Sequence, residues 1–259
     1  MSILLAYSLI GSTENLHNQV SYSMHPVVHE WIYNWTLHSL EERKCLGDLT
    51  RFALMLLAFS IPPDTQKEYW ILQRAPAHAT RCYGWVERGL IEGAIDFGHS
   101  FALQQIGYLF AHQEKPKEAE NIYRRALAMR GNSLGWSNEL TLLTAQSLGN
   151  LYLEQDRLHE AENMYRWAHE GQEKALGSKN MSTLNTLHCL GNLYLKQGKL
   201  DQAEYMYRRV LQGSENTSGP GHISTLNTID GLGNLYLAQN RLGEAEINLN
   251  RALKGRETA

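Results

Sequence analysis

Two histidines near the start of the chain are the first candidates for chemistry. His25 and His29 are four residues apart and can share one face of a helix. Histidine pairs at this spacing bind zinc in His-Glu-x-x-His sites, which also need a third ligand. Here the glutamate of that pattern is absent, and no third ligand is evident from the sequence. We therefore predict that the chain binds no metal.

An imidazole and a thiol are neighbours at His188 and Cys189, the side chains used by cysteine nucleophiles. Adjacent residues of a helix point roughly 100° apart and do not face each other. The pattern therefore favours a groove-facing histidine beside a buried cysteine. The other two cysteines, Cys45 and Cys82, are widely separated from it, and the odd number is typical of free thiols in a reducing compartment. We predict a cytoplasmic protein.

Nucleotide chemistry needs a loop that holds phosphate groups, and the sequence has none. Neither Gly-x-x-x-x-Gly-Lys-Ser/Thr nor Gly-x-Gly-x-x-Gly occurs. Without such a loop the chain cannot hold and hydrolyse a nucleotide alone. We interpret the arginine pairs 124–125 and 208–209 as outward-facing helix residues, because they recur at equivalent positions. We predict no enzymatic activity and no cofactor.

The composition is that of a soluble globular protein and excludes two classes of partner. Of 259 residues, 43% are hydrophobic and 20% are charged, and the formal net charge is −3. Because there is no basic excess, we predict no binding to nucleic acid. The apolar run at residues 52–59 is too short for a bilayer, which needs about 20 residues. We also predict no membrane association.

The strongest signal is a repeat with a constant period of 42 residues. Three landmarks recur without an insertion: a segment resembling Leu-Gly-Asn-Leu-Tyr, an alanine and a tyrosine. The segments are residues 106–110, 148–152, 190–194 and 232–236; the alanines are Ala119, Ala161, Ala203 and Ala245; the last landmark is Tyr123, Tyr165 and Tyr207, with Leu249 in the fourth copy. The period predicts four copies of one structural unit.

Each copy is predicted to contain two helices. In the third copy, apolar residues three or four apart predict helices over residues 183–197 and 200–211, separated by Gln197-Gly198-Lys199. The predicted buried positions are Leu184, Leu187, Leu190, Leu193 and Tyr194 in the first helix, and Leu200, Ala203, Tyr207, Val210 and Leu211 in the second.

Small residues are expected where the two helices cross. Gly191 and Ala203 allow a close approach, and Tyr194 and Tyr207 fill the volume beside it. A single pair cannot cover its own apolar faces. Stacking of successive pairs therefore predicts a mainly α-helical protein with an α-solenoid.

The first 60 residues do not repeat. Residues 6–10 and 20–24 are predicted to be short strands of a hairpin around the polar turn 11–15. A helix is expected after Pro26, since proline suits the first turn of a helix.

The repeated motifs resemble the tetratricopeptide repeat (TPR), whose usual period is about 34 residues. The longer period and the linker at residues 218–228, Ser-Gly-Pro-Gly-His-Ile-Ser-Thr-Leu-Asn-Thr, resemble the extended repeats of kinesin light chain. The resemblance implies an array of 42-residue helix pairs over residues 99–256. Its four repeats are expected at about 99–137, 138–179, 180–221 and 222–256.

Residues 22–31 resemble the end of the winged-helix portion of fungal NB-ARC proteins, a class of nucleotide-switched (STAND, NLR-like) receptors. Met24-His25-Pro26 resembles their Met-His-Asp motif, with proline in place of aspartate. The resemblance implies a winged-helix-like remnant over residues 1–60 and a helical bridge over 61–98. It also implies that His25 senses nucleotide in a full-length parent.

In the TPR family, the first helices line a concave groove, and the residue after the glycine points into it. The groove residues implied by this resemblance are Gln104, Tyr108, Gln146, Asn150, Asn185, His188, Asn192, Lys196, Asn227, Asp230 and Asn234. Amide side chains both donate and accept hydrogen bonds, which suits the backbone of an extended peptide. Asparagines that cap or bridge neighbouring helices would recur in the same way. Both interpretations stay open at this point.

These resemblances imply a non-catalytic scaffold that binds a protein or an extended peptide. We expect the ligand-sensing arm, or a truncated form, of a fungal nucleotide-switched receptor. A stand-alone adaptor for cargo or complex assembly, similar to kinesin light chain, is the alternative. Solenoids usually end in a polar capping helix, which is not evident after the fourth repeat. We therefore also expect self-association through that repeat.

Overall fold

The structure, a computed structural model of the chain, describes residues 10–14, 20–24 and 97–258. Most of the predicted winged-helix-like remnant, the helix after Pro26 and the bridge at 61–98 lie outside the described residues. His25 and His29 lie outside them too.

The predicted hairpin is present, but its first strand includes most of the segment predicted as the turn, and residues 6–9 lie outside the described residues. Strand β1 is Ile10–Glu14 and β2 is Val20–Met24, and they pair antiparallel with Ile10 opposite Met24 and Glu14 opposite Val20. The segment predicted as a turn is thus mostly strand. A strand at residues 6–10 would leave a nine-residue connection, whereas the observed pairing leaves a five-residue one, within the usual range for hairpins.

Residues 97–258 form eight helices in four consecutive pairs. The first helix of each pair has 16 residues, and the second has 17 to 19. The helices are α1 (Phe97–His112), α2 (Pro116–Leu134), α3 (Glu139–Glu154), α4 (Leu158–Leu176), α5 (Met181–Lys196), α6 (Leu200–Thr217), α7 (Ile223–Ala238) and α8 (Leu242–Thr258).

Two compact units divide the chain after Met129. Helix α1 and most of α2 belong to the first unit, and α3 to α8 belong to the second. In the second unit each helix packs against the next one along the chain, and the first helices α3, α5 and α7 also contact one another in order. The TPR-like arrangement of helix pairs is therefore confirmed for this unit.

A glycine and a tyrosine determine how the two helices of a pair approach each other. A Cβ atom on Gly191 would lie 2.7 Å from Cε1 of Tyr207, and Gly149 and Tyr165 repeat the same contact. The predicted core residues of α5 are buried, as are Ala203 and Val210 in α6. Two predictions for α6 are wrong, since Leu200 and Leu211 are only half-buried. Leu211 packs against the buried Leu226, Ile229 and Ala252 of the fourth pair, which cover only part of its side chain.

Polar side chains cap the N-termini of α3, α5 and α7. The side-chain oxygens of Asn138 and Asn180 accept hydrogen bonds from the backbone N–H groups of Leu140 and Ser182, at 3.0 and 2.8 Å. These are N-caps, which satisfy otherwise unpaired N–H groups of the first turn. His222 occupies the same position before α7, and its Nδ1 lies 3.2 Å from the nitrogen of Ser224.

A residue with positive φ connects the two helices within each pair. Gly198, between α5 and α6, has a φ of 72°, and Asp156 and Asn240 have φ values of 62° and 59° at the equivalent positions. Glycine, asparagine and aspartate tolerate this left-handed conformation best. The predicted break at Gly198 is confirmed.

Candidate functional site

The first helices of the second unit expose the same face. In α5 this face carries Asn185, His188, Asn192 and Lys196, which are three to four residues apart and so lie along one side of the helix. The equivalent positions with polar side chains are Gln146, Asn150 and Glu154 in α3, and Asn227, Asp230 and Asn234 in α7. We call these residues the polar stripe.

Two asparagines of the stripe are held by tyrosines of their own helix pair. The hydroxyl of Tyr165 donates to Oδ1 of Asn150 at 2.7 Å, and Tyr207 donates to Oδ1 of Asn192 at 2.6 Å. Burial raises the pKa of both tyrosines, so each hydroxyl keeps its proton. Because each tyrosine bonds only to the amide oxygen of its asparagine, the NH₂ group of that asparagine remains a donor for a ligand.

Asn234 differs from these two asparagines. Leu249 takes the position of the tyrosine in the fourth pair, and a Cβ on Gly233 would lie 2.7 Å from its Cδ2. Asn234 is exposed and forms no side-chain hydrogen bond within residues 97–258. Its whole amide group is available to a ligand.

The next row of the stripe connects neighbouring pairs. Oε1 of Gln146 accepts from the hydroxyl of Thr186 at 2.9 Å, and Nε2 of Gln146 lies 3.7 Å from Sγ of Cys189. Nδ1 of His188 lies 3.4 Å from the hydroxyl of Thr228. Burial lowers the pKa of His188. These contacts join α3 to α5 and α5 to α7. Gln146 and His188 therefore hold neighbouring pairs together and are still partly exposed.

Asn185 and Lys196 are the exposed stripe residues of α5. Asn185 is exposed and forms no side-chain hydrogen bond within residues 97–258. Nζ of Lys196 donates to the backbone oxygen of Leu153 at 2.9 Å and lies 3.0 Å from Asp156. These polar contacts fix the stripe at the end of α5.

Arg256 interacts with the acceptor oxygens of the polar stripe on α7. Its Nη2 lies 3.2 Å from Oδ1 of Asn227 and 3.5 Å from Oδ2 of Asp230. Because Arg256 is itself exposed, a ligand that binds here competes with an exposed side chain and leaves the core intact.

Gln104 and Tyr108 belong to the first unit. Both are half-buried on α1, and the ring of Tyr108 lies 4.1 Å from that of His112. Within residues 97–258, no group of three or more His, Cys, Asp or Glu side chains is placed to hold a metal ion. In the same part of the chain, no helix is long and apolar enough to cross a membrane.

Sequence reasoning missed a recurrent acidic contact between pairs. Glu204 on α6 accepts from the hydroxyl of Tyr236 at 3.5 Å and from Nε2 of Gln239 at 3.2 Å, and Nη1 of Arg241 lies 3.0 Å away. Partial burial alone would raise the pKa of this carboxyl, but hydrogen bonds from Arg208 and Gln239 hold it below its usual value.

The same acidic contact occurs one repeat earlier. Glu162 lies 3.5 Å from the hydroxyl of Tyr194, 3.2 Å from Nε2 of Gln197 and 3.6 Å from Nζ of Lys199. We call this arrangement the glutamate clamp. Its sequence signal is a glutamate directly after the landmark alanine, followed one repeat later by Tyr-x-x-Gln-x-Lys or Arg. Comparison of the repeats at all 42 positions would have found it.

The tetratricopeptide-repeat family model matches residues 100–174 and 182–258, more than half of the chain. The chain therefore belongs to the tetratricopeptide-repeat family. No curated protein matches it in sequence.

Similar solved structures support a kinesin-light-chain-like fold. BtubC (BKLC) from P. vanneervenii is 17% identical with a TM-score of 0.64, and the match covers 89% of this chain and 87% of that one. A Podospora anserina protein described as a putative kinesin light chain with nearly identical TPR-like repeats is 16% identical with a TM-score of 0.61. That match covers 83% and 94% of the two chains. At these identities, the similarity concerns the fold alone.

Proposed function

We propose that this chain is a non-catalytic scaffold that binds a protein or an extended peptide along the polar stripe. The observation that carries the proposal is the alignment of the exposed faces of α3, α5 and α7. These faces present amide groups at successive repeats, as an extended backbone with regularly spaced donors and acceptors requires.

The asparagines of the stripe have two roles in this proposal: some bond within the helix array, and others are available to bind a peptide. Asn150 and Asn192 bond to tyrosines of their own pairs, which fixes their orientation and leaves the NH₂ groups as donors. Asn185 and Asn234 have no side-chain hydrogen bond within the described helices and are exposed. Because Asn150 and Asn192 are already ordered, they lose little side-chain entropy when a ligand binds, whereas Asn185 and Asn234 lose more.

Within this proposal, the chain acts either as the ligand-sensing arm of an NB-ARC-type receptor or as an adaptor similar to kinesin light chain. The first role rests on the resemblance of residues 22–31, with a winged-helix-like segment over 1–60, a bridge over 61–98 and His25 as the nucleotide sensor. The adaptor role rests on the structural similarity to kinesin-light-chain-like proteins. We place both in the cytoplasm, because widely spaced cysteines suit a reducing compartment.

The test is selection of a random peptide library displayed on phage against the full chain. Selected peptides are then titrated against Asn185→Arg and Asn234→Arg. Both residues are exposed and have no side-chain hydrogen bond within the described helices, so these changes leave the fold intact while they block the stripe. We expect affinity to fall about tenfold or more.

The matched control is Asn163→Arg, which makes the same substitution at an exposed position of the second helix α4. We expect it to bind like the wild-type chain. Equal weakening by all three substitutions, or none by the stripe variants, would overturn the stripe as the binding site.

A further inference from the structure

Two asparagines of the polar stripe offer a ligand donors and no acceptor. The hydroxyls of Tyr165 and Tyr207 are buried and lie 2.7 and 2.6 Å from Oδ1 of Asn150 and Asn192. Neither hydroxyl has another acceptor within residues 97–258. A buried hydroxyl without an acceptor is costly, so each amide oxygen stays turned towards its tyrosine. Only the NH₂ group of each amide is left for a ligand.

The packing of the first helices determines how far apart these donors lie. Asn150 on α3 and Asn192 on α5 are equivalent residues, 42 positions apart. Helices α3, α5 and α7 contact one another in order, and the axes of packed helices are about 8–10 Å apart. Equivalent donors therefore recur at about this distance from one pair to the next. Asn234 on α7 continues the row with an amide that can also donate.

This spacing distinguishes two forms of extended peptide. A β-strand repeats its orientation at every second residue, so its equivalent carbonyl groups lie about 6.6 or about 13 Å apart, and neither distance fits. A polyproline II helix has three residues per turn and rises about 3.1 Å per residue, so its equivalent carbonyl groups recur about every 9 Å. They are also free to accept, because this helix has no internal hydrogen bonds.

A row of donors without acceptors also favours proline over other residues. Proline has a backbone carbonyl but no N–H group, so a proline-rich segment leaves no donor unpaired against the amides of Asn150 and Asn192. Leu153 and Leu195 each lie one helical turn after a held asparagine and are half-buried. They provide apolar surface for the proline rings, as grooves that bind polyproline II segments do.

We propose that the polar stripe binds a proline-rich segment of a partner protein in the polyproline II conformation. The inference rests on the peptide-binding function proposed above and names the class of peptide. The NH₂ groups of Asn150, Asn192 and Asn234 donate to carbonyl groups three residues apart in the segment. Successive helix pairs therefore each bind one turn of it.

The experiment titrates the full chain with a fluorescent peptide of ten prolines. A Gly-Ser peptide of the same length is the control, since it offers as many carbonyl groups but carries N–H groups and is flexible. We expect saturable binding of the proline peptide, at least about tenfold tighter than that of the Gly-Ser peptide. Equal affinity for the two peptides would contradict the proposal.

Asn192→Asp removes the donor and keeps the rest of the site. The carboxylate still accepts from the hydroxyl of Tyr207 but has no NH₂ group. We expect binding of the proline peptide to weaken at least about tenfold, and Asn150→Asp is a second, independent variant of the same kind. The matched control is Asn163→Asp, which adds the same charge at an exposed position of α4 outside the stripe and should bind normally. Thermal unfolding followed by circular dichroism checks that the variants fold.

The phage-selected peptides separate this inference from the function proposed above. Selected peptides with prolines three residues apart, weakened by Asn192→Asp and not by Asn163→Asp, support it even where ten prolines alone bind weakly. Equal effects of these two substitutions overturn it. Selected peptides that need the stripe but are not enriched in proline, with no binding of ten prolines, overturn the inference and leave the scaffold function standing. Absence of any stripe-dependent peptide overturns both.

Discussion

The third and fourth helix pairs show how one repeated pattern gives the same backbone with different side-chain contacts. In the third pair, Asn192 bonds to Tyr207, and the glutamate clamp of Glu204 is filled. In the fourth pair, Leu249 replaces the tyrosine, and Glu246 has no such partner among the described residues. The helix pair therefore keeps its fold when the tyrosine landmark changes, and that change decides whether the asparagine of the stripe is held or available to a ligand.

The largest expected effect comes from the glycine at the helix crossing. A Cβ on Gly191 would lie 2.7 Å from the Tyr207 ring, which its hydrogen bond to Asn192 holds in place. We expect Gly191→Ala to destabilise the protein by roughly 1–2 kcal/mol, because overpacking outweighs the better helix propensity of alanine. The measurement is urea unfolding followed by circular dichroism.

Gly233→Ala is the matched control for this substitution. Its Cβ would meet the Leu249 side chain, which can change rotamer, so we expect a loss below about 1 kcal/mol. Equal losses for the two variants would show that the tyrosine is no more rigid a neighbour than the leucine.

The hydroxyl of Tyr207 gives the next effect. Tyr207→Phe removes the 2.6 Å hydrogen bond to Asn192 and is expected to cost about 1 kcal/mol. Leu249→Tyr should install the missing bond to Asn234 and increase the amide protection of α7. The pair of variants is compared by hydrogen exchange, and a rise in protection of α5 on Tyr207→Phe would contradict this account.

His169 extends the comparison to the second pair, because it occupies the position of Leu211 and Leu253. Burial lowers the pKa of His169, while Glu173 and Glu170 oppose this shift and Arg209 adds to it. The unfolded chain therefore binds more protons than the folded chain just below about pH 6.5. Stability should fall as the pH decreases from there, until the folded-state pKa is passed.

We expect His169→Leu to reduce the loss of stability between about pH 7.5 and pH 5.5 by less than about 1 kcal/mol. The measurement is the thermal midpoint across this range. His159→Leu, at an exposed position of the same helix, is the control and should keep the wild-type pH dependence. An unchanged pH profile in His169→Leu would show that His169 does not contribute to the loss of stability at lower pH.

The smallest expected effect concerns the N-cap of α7. His222 accepts at 3.2 Å, whereas Asn180 accepts at 2.8 Å before α5. His222→Asn should stabilise the fourth pair by a few tenths of a kcal/mol, since asparagine is among the best N-cap residues. Amide exchange in the first turn of α7 measures this, and faster exchange in the variant would contradict it.

The repeat was readable from the sequence because each landmark has a packing reason that recurs every 42 residues. Gly191 and Tyr207 illustrate this, since the ring of Tyr207 fills the space that the missing side chain of Gly191 leaves open. The sequence predicted the helices of the third pair to within a few residues at most ends. Helix α6 extends to Thr217, beyond the predicted residue 211, because its last six residues carry no large apolar side chain and Gly213 packs on Leu184 of α5 instead.

The partners of the polar stripe were harder to predict. Amphipathic periodicity shows that Gln146 and His188 are on one face, but it does not show that Thr186 and Thr228 of the next pair contact them. These contacts join residues about 40 positions apart, and only the packing of successive pairs brings them together. The same applies to Glu204 and its three partners.

The glutamate clamp also bears on how the gene can change in length. Glu162 and Glu204 hold equivalent groups, one repeat further along the chain. Deletion of residues 180–221 would place Gln239 and Arg241 opposite Glu162, and the new junction would keep the chemistry of the old ones. Unequal recombination between repeats can therefore add or remove units of 42 codons, and the residues at the new junction between helix pairs still match.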